Sequence, residues 1–218
     1  MNKDLIRAIN GEALRRNIAQ PVTIQTREVS AEGQPAQEFI RGYFSVYNTN
    51  YVMWDGYIER IAPGAFDGAD ISDVLCLFNH DDDGILGRLT NGTGTLMIGF
   101  DDKGGYFEVA KNNTTLSQDV YENIKLGNIQ GCSFAFTIAE ESIERDVPQP
   151  DGSMATVYTI TKIKKLYDVG PVTNPAYTET EVEASKRNLQ SRLPAAPQPV
   201  ITRDNQFLNI KLNSKTNK

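Results

Sequence analysis

One short segment of this sequence carries two side chains that could attack a carbonyl carbon. Residues 128–138 follow the alternating pattern of a β-strand. The pattern places Cys132 on an apolar face and Ser133 on the opposite face, among small or hydroxylated neighbours that leave room for a substrate. A thiol on an apolar face is desolvated, and its reactive thiolate is disfavoured. Ser133 is therefore the stronger candidate nucleophile, and an ordinary polar residue on the solvent side of a strand is the alternative.

A serine needs a neighbouring base before it can attack near neutral pH, and this sequence contains a single histidine. His80 follows the apolar run Val74–Phe78, which is typical of a strand buried on both faces, and it precedes the charged turn Asp81–Gly84. The end of a buried strand combines a rigid scaffold with access to solvent. His80 is thus the candidate general base for Ser133, and a surface histidine in an acidic turn is the alternative.

The sequence lacks the patterns of other common site types. Zinc needs three or four His, Cys, Asp or Glu ligands, usually in paired spacing, which one histidine and two isolated cysteines do not provide. Asp81–Asp83 lacks the alternating ligands of a calcium loop. The glycines at 92–94 and 104–105 lack the lysine and helix start of a phosphate loop, and no pair of carboxylates stands out for glycoside hydrolysis. We therefore predict no metal ion and no cofactor.

The composition limits the possible functions. The chain has 218 residues, 39% of them hydrophobic, and a formal net charge of −6. We expect one main domain with a core and no basic surface for nucleic acid. No apolar run approaches the ~20 residues that cross a membrane, and a signal-peptide pattern is absent. Cys76 and Cys132 lie in apolar runs, as buried thiols of a reducing compartment do. We expect a soluble, intracellular protein that binds neither nucleic acid nor membrane.

Several short strand-like segments and one strong internal helix predict a mainly β fold with flanking helices, an α+β arrangement. The strand-like segments are 22–26, 39–47, 74–78, 85–89, 94–100, 105–110, 128–138 and 156–169. The internal helix is capped by Thr114 or Ser117 and ends at Gly127. A weaker helix is predicted over residues 3–16, where Gly11 lowers the helix propensity.

These patterns divide the chain into three regions. Residues 1–20 are predicted to be a helical or flexible N-terminal segment, residues 21–185 the main domain, and residues 186–218 a flexible tail. The tail is rich in proline and ends in a polar run of Asn, Lys, Ser and Thr. Such a composition cannot bury enough apolar surface to offset the entropy lost on ordering.

Six blocks of the sequence resemble, in the same order, six blocks of the tailed-phage prohead maturation proteases. Tyr57–Phe66 resembles the family's ERI-PGAF block, Phe78–Asp81 its F-N-H-D block, Leu86–Arg88 its L-G-R block, Gly94–Leu96 its G-T-L block, Gly131–Phe136 its G-x-S-F-x-F strand and Val169–Tyr177 its V-S-x-V-T-x-P-A-Y block. Each block is short, but six in one order over residues 38–183 are hard to obtain by chance. Gly170 departs from the pattern, which often has a serine there.

The resemblance implies a serine endopeptidase related to herpesvirus assemblin, with an assemblin-like closed β-barrel surrounded by helices. By motif, Ser133 is the nucleophile and His80 the general base. Assemblins use a second histidine as the third member, which this chain lacks, and the phage families use a carboxylate. Asp168 fits that role, in which it would orient the imidazole and stabilise its positive form. The alternative for Asp168 is a surface carboxylate paired with Lys164 or Lys165.

The resemblance also implies a biological setting. The protease would be packaged inside the procapsid, in the bacterial host cytoplasm during assembly. It would cleave the scaffolding protein or the scaffolding segment of the major capsid protein, and also itself. A homodimer or higher oligomer would be its active form. The alternative function is a non-catalytic capsid-assembly or scaffolding module that retains the protease fold.

Overall fold

The computed structural model describes residues 7–8, 14–18, 22–27 and 37–173 of the chain. Their elements are β1 (Arg7–Ala8), β2 (Leu14–Ile18), β3 (Val22–Arg27), β4 (Gln37–Val46), β5 (Tyr51–Trp54), β6 (Tyr57–Ile61), β7 (Asp73–Leu77), β8 (Ile85–Thr90), β9 (Thr93–Gly94), β10 (Leu96–Phe100), β11 (Gly104–Ala110), α1 (Thr115–Lys125), β12 (Gly131–Pro148) and β13 (Met154–Val172). The chain divides into a unit Met1–Ser185 and a unit Lys186–Lys218. The predicted tail, residues 186–218, lies outside the described residues, and the three-region division stays a prediction.

The strands form two sheets. In the nine-stranded sheet the main path runs β1-β12-β13-β7-β8-β9, while β2 also pairs with β12, and β6 pairs with both β5 and β13. The four-stranded sheet has the order β10-β11-β4-β3. The long antiparallel hairpin of β12 and β13 is the centre of the larger sheet, and β6 and β7 join β13 in parallel. The predicted mainly β fold is therefore confirmed.

Both sheets contribute to one apolar core. Phe44 and Phe107 from the smaller sheet and Phe134 and Leu166 from the larger sheet are all fully buried in it. The ring centroids of Phe44 and Phe134 lie 5.5 Å apart, so aromatic side chains from the two sheets contact each other in the core. Burial of this face of β12 fixes which side chains of the strand point away from the core.

Helix α1 packs on the same core through Val120, Tyr121 and Ile124. Its start is capped by Thr114, whose hydroxyl accepts a hydrogen bond from the backbone N–H of Ser117 at 3.2 Å. After the helix the chain turns at Gly127, which has a positive φ of 77°. The predicted internal helix and its cap are thus confirmed.

Two expectations about the fold need correction. The helix predicted over residues 3–16 is wrong, because Arg7–Ala8 and Leu14–Ile18 are strands that pair with β12. Pairing with an available strand edge outweighs a weak local helix propensity. Within the described part of the chain α1 is the one helix, rather than several flanking helices, and no helix there is long and apolar enough to cross a membrane. Neither sheet closes on its first strand among these residues, so the closed barrel stays a prediction.

Candidate active site

Three adjacent strands of the larger sheet position the predicted site residues. β12 carries Ser133, β13 carries Asp168, and β7 leads into the turn that contains His80. Ser133 pairs with Gly170 of β13. On the other edge of β13, parallel pairing places Leu75 beside Asp168. The last residue of β7, Leu77, therefore lies beside Gly170 on one edge of β13, and Ser133 lies beside Gly170 on the other edge.

A β-bulge in the hairpin moves Asp168 away from the core face of β13. Strict alternation would place Asp168 on the same face as Leu166, which is fully buried in the core. Ala135 pairs with Asp168, yet the next residue of β12 pairs with Leu166, so Tyr167 is an extra residue in β13. A one-residue shift of this kind reverses the faces of the residues on one side of it. Asp168 consequently shares the face of Ala135 and Ser133.

The three side chains form one hydrogen-bonded series through the imidazole. His80 Nδ1 lies 2.5 Å from Asp168 Oδ1, and His80 Nε2 contacts Ser133 Oγ. The His80 and Asp168 side chains are 8% and 9% exposed, and Ser133 is fully buried. A carboxylate that is ionised can only accept, so in that state Nδ1 is the donor of this hydrogen bond. Nε2 is then free to accept the proton of the Ser133 hydroxyl, which is the requirement for a general base.

Among residues 37–173, Asp168 makes no ion pair with Lys164 or Lys165, the surface partners that were the alternative. Lys165 Nζ pairs instead with Asp70 Oδ2 at 3.2 Å. The nearest charged partner that the structure gives Asp168 is His80. The carboxylate is also buried, whereas a surface pair would leave it in solvent.

The turn that presents His80 has an unusual backbone. Asn79 and His80 have positive φ angles of 55° and 58°, a region that is uncommon for residues other than glycine. Tertiary hydrogen bonds hold this conformation. The backbone N–H of Asn79 donates to the Pro171 carbonyl at 3.1 Å, and its Oδ1 accepts from the backbone N–H of Thr173 at 2.9 Å. The turn is thus tied to the end of β13.

Hydrogen bonds within the turn, one of them to the Asp81 carboxylate, stabilise its shape. The backbone N–H of Phe78 donates to the Gly84 carbonyl at 2.9 Å, and Asp81 Oδ1 accepts from the backbone N–H of Asp83 at 3.0 Å. Asp81–Asp83 are exposed. Among the described residues, no three or more His, Cys, Asp and Glu side chains gather in a way that could hold a metal ion.

Gly170 allows the end of β7 to approach β13 closely. A Cβ atom at position 170 would lie 1.9 Å from the carbonyl oxygen of Leu77 and 2.9 Å from its carbonyl carbon. No side chain fits there unless one backbone moves. The departure from the serine that is frequent in this block therefore has a physical reason, because the approach brings the His80 turn to the level of Ser133.

Cys132 and Cys76 lie on the core side of their strands. Both are fully buried members of the apolar core, and burial raises the pKa of both thiols far above the ordinary value. Neither thiol supplies a thiolate near neutral pH. Alternation along β12 therefore separates Cys132 from Ser133 as predicted.

The expected open face around Ser133 is wrong. Every residue from Gly131 to Ile138 is buried, and Ser133 itself has no exposed surface. β13 pairs with one edge of β12 at this point and β2 with the other. The small neighbours of Ser133 thus allow close packing of protein rather than an open approach.

Sequence reasoning gave no role to three residues that shape the site: Asn79, Gly170 and Thr173. Asparagine tolerates a left-handed backbone better than most residues, so its place directly before the one histidine was a usable signal. The Gly170 departure was also visible in the sequence. The bond from Thr173 to Asn79 joins residues far apart in the chain, and no local pattern predicts it.

Comparison with known proteins agrees with the resemblance found in the sequence. The family described as Caudovirus prohead serine protease (Peptidase_S78) matches residues 23–193. A solved structure, that of the bacteriophage T4 capsid assembly protease gp21, is similar with 14% identity and a TM-score of 0.43, covering 75% of this chain and 98% of that one. No curated protein matches. Because the family match spans most of the sequence, the chain belongs to the caudovirus prohead serine proteases, which act in capsid maturation.

Proposed function

We propose that this protein is an endopeptidase with Ser133 as nucleophile, His80 as general base and Asp168 as the carboxylate that orients the imidazole. The observation that carries the proposal is the hydrogen-bonded series from Asp168 through His80 to Ser133. Two members lie on the neighbouring strands β12 and β13 and the third in the turn after β7, which supports the proposal because one sheet carries all three.

The proposed reaction is acyl transfer in two steps. Ser133 Oγ attacks the scissile carbonyl carbon while His80 Nε2 takes its proton, and the resulting imidazolium then gives that proton to the leaving amine as the C–N bond breaks. Water attacks the acyl-enzyme with the same base, and the proton returns to Ser133 Oγ as the acid product leaves. Asp168 accepts from Nδ1–H throughout, which favours the required tautomer and stabilises the imidazolium.

The proposed substrates follow from the family. We infer that the enzyme cleaves the scaffolding protein or the scaffolding segment of the major capsid protein, and also its own chain, inside the procapsid within the bacterial host cytoplasm. The active form would be a homodimer or higher oligomer, and the assemblin-like closed barrel remains part of the proposal. Two sheets that share one core support that architecture, since a flattened barrel has the same arrangement.

Co-expression of the protein with the capsid or scaffold precursor tests the function directly. Product bands whose N-termini are sequenced should appear with the wild type and disappear with Ser133→Ala and His80→Ala. Ser142→Ala changes the same residue type further along β12 and serves as the matched control. Cleavage that persists in Ser133→Ala would sink the assignment. Labelling of Ser133 by diisopropyl fluorophosphate separates the enzyme from the non-catalytic capsid-assembly module, which lacks an activated serine.

A further inference from the structure

The strand that carries Ser133 has two edges, and the chain's own N-terminal segment occupies one of them. β13 pairs with one edge of β12. On the other edge β2 pairs antiparallel from Leu14, opposite Phe136, to Ile18, opposite Cys132. Asn17 lies directly opposite Ser133. The backbone of β2 therefore runs along the proposed nucleophile at a distance of about 5 Å, the separation of paired strands.

β2 comes from outside the part of the chain that matches the family. That match begins at residue 23, so the edge of β12 is filled by a segment that precedes it. Residues 19–21 are the whole connection from β2 to β3, and Val22 at the start of β3 donates a backbone hydrogen bond to the Gln130 carbonyl just before β12. This short tether holds β2 beside β12 at a high effective concentration.

A protease must hold its substrate extended, with the scissile carbonyl beside the nucleophile. The edge of a strand offers a row of N–H and C=O groups that pair with any extended peptide, and many proteins bind peptides by adding a strand in this way. The edge at Cys132–Phe136 would offer such a row beside Ser133 if β2 were absent. With β2 in place, Ser133 has no exposed surface.

We propose that the β12 edge at Cys132–Phe136 is the docking site for an extended substrate segment, and that β2 is its occupant in the free chain. β2 is then an internal competitor that leaves the edge before a substrate pairs there. The inference rests on the proposed function and deepens it. It defines the substrate as a segment without stable fold that binds antiparallel to β12 through its backbone.

A binding measurement that needs no catalysis tests the docking site. The probe is a fluorescein-labelled synthetic peptide of residues 12–20, followed by fluorescence anisotropy on full-length protein that carries Ser133→Ala. In one protein β2 carries Arg15→Pro and Arg16→Pro. Successive N–H groups along a strand point to opposite edges. One of the two prolines, at position 15 or at position 16, therefore removes a hydrogen-bond donor to β12. The matched control carries Arg15→Ala and Arg16→Ala, which remove the same charges and keep both N–H groups.

We expect the proline protein to bind the peptide on the order of tenfold more tightly than the alanine control, because its tethered competitor no longer pairs. Equal affinity of the two proteins overturns the proposal. Circular dichroism shows whether the proline protein retains its sheet content. If the proline protein loses sheet content, the Ile18→Cys variant tests the proposal instead, because a disulfide stabilises the pairing of β2 with β12.

A disulfide between β2 and β12 should have the opposite effect. Ile18 lies opposite Cys132, and directly opposed residues of antiparallel strands have Cα atoms about 4.5–5.5 Å apart, within the range that a disulfide bridges. In the Ser133→Ala background, oxidised Ile18→Cys should lose peptide binding and regain it with dithiothreitol, while Ile18→Ser should respond to neither treatment. Failure of the disulfide to form, or unchanged binding after it has formed, overturns the proposal.

The same variants in protein with an intact Ser133 separate this proposal from the proposed function. The proline protein should cleave the capsid or scaffold precursor faster than the alanine control. If the binding results hold and no protein cleaves, the docking site stands and the proposed catalysis fails. If cleavage occurs and the binding of the two proteins is equal, catalysis stands and the docking site is wrong.

Discussion

Asn79 Oδ1 accepts hydrogen bonds from both the backbone N–H and the hydroxyl of Thr173, at 2.9 and 3.3 Å. These bonds attach the turn that presents His80 to the end of β13, where Thr173 lies five residues after Asp168 in the chain. Two of the three proposed catalytic groups therefore share one support. A residue that touches no reacting atom can in this way decide how well His80 is placed.

Asn79 should act as a positioning residue. Asn79→Gly keeps the left-handed backbone and loses the side-chain acceptor, so kcat should fall, by about 10²-fold if the imidazole moves by 1 Å, with little change in KM. Asn79→Asp keeps the acceptor and should retain more activity than Asn79→Gly. Steady-state kinetics on a peptide made from the mapped cleavage site measures both parameters. Wild-type kcat in Asn79→Gly would show that the turn is held without this side chain.

Asp168→Asn should reduce kcat/KM by a factor on the order of 10⁴ without loss of fold. An amide can donate to Nδ1, which favours the tautomer that leaves the proton on Nε2, where it cannot accept from Ser133. Asp70→Asn is the control, because that carboxylate pairs with Lys165 and lies outside the hydrogen-bonded series. A near-wild-type rate for Asp168→Asn would show that His80 acts as the base without the Asp168 carboxylate.

Cys132→Ala should leave the cleavage rate within about threefold of the wild type, because the thiol lies in the core and its pKa is raised by burial. Removal of a buried sulfur creates a small cavity, so a loss of about 1 kcal/mol in stability is expected. Urea unfolding and the precursor assay measure the two effects separately. A loss of activity that exceeds the loss of folded protein would favour the thiol as nucleophile.

Asp70 should stabilise the fold at neutral pH and lose this effect in acid. Hydrogen bonds from Ser72, followed by contact with Lys165, lower the pKa of this exposed carboxyl from 3.8 to about 2. A folded-state pKa below the unfolded value contributes stability above the unfolded pKa, and the contribution is lost as pH falls through the range from 3.8 to about 2. Asp70→Asn should therefore lower Tm at neutral pH, and the two proteins should converge near the lower end of that range. A Tm difference between the two proteins that is independent of pH would contradict the predicted contribution of the ionised Asp70 carboxylate.

The face of β12 that carries Cys132 could be read from the sequence, because an apolar stripe with period two is a local property of one strand. His80 could be identified as the base for a similar reason: it is the one imidazole that the chain offers. Neither conclusion required knowledge of the partner strands. The resemblance to a family then supplied the reaction and drew attention to Asp168.

What the sequence could not predict depends on pairing between distant segments. The bulge at Tyr167 sets the face of Asp168, and it is defined only by register against β12. The pairing of β2 with β12 was equally out of reach, because the short segment of β2 has no strong strand pattern of its own. A weak helix propensity at residues 3–16 pointed the other way, and strand pairing outweighed it.

The lack of a side chain at Gly170 is what allows β7 to end beside β13. In Gly170→Ser the new Cβ would lie 1.9 Å from the Leu77 carbonyl oxygen, so β7 must shift. We expect a loss of about 1–3 kcal/mol in stability and a fall in kcat, because the same shift draws His80 away from Ser133. Urea unfolding and steady-state kinetics measure the two effects.

Gly152→Ser in the turn between β12 and β13 is the matched control, because a Cβ there meets no atom within 4 Å. Its positive φ of 85° costs about 1–2 kcal/mol for a residue with a side chain. The control should therefore lose stability and keep its kcat. If Gly170→Ser keeps both the stability and the kcat of the wild type, the close approach of β7 is not what places the imidazole. The serine that relatives carry would then be interchangeable with glycine in this chain.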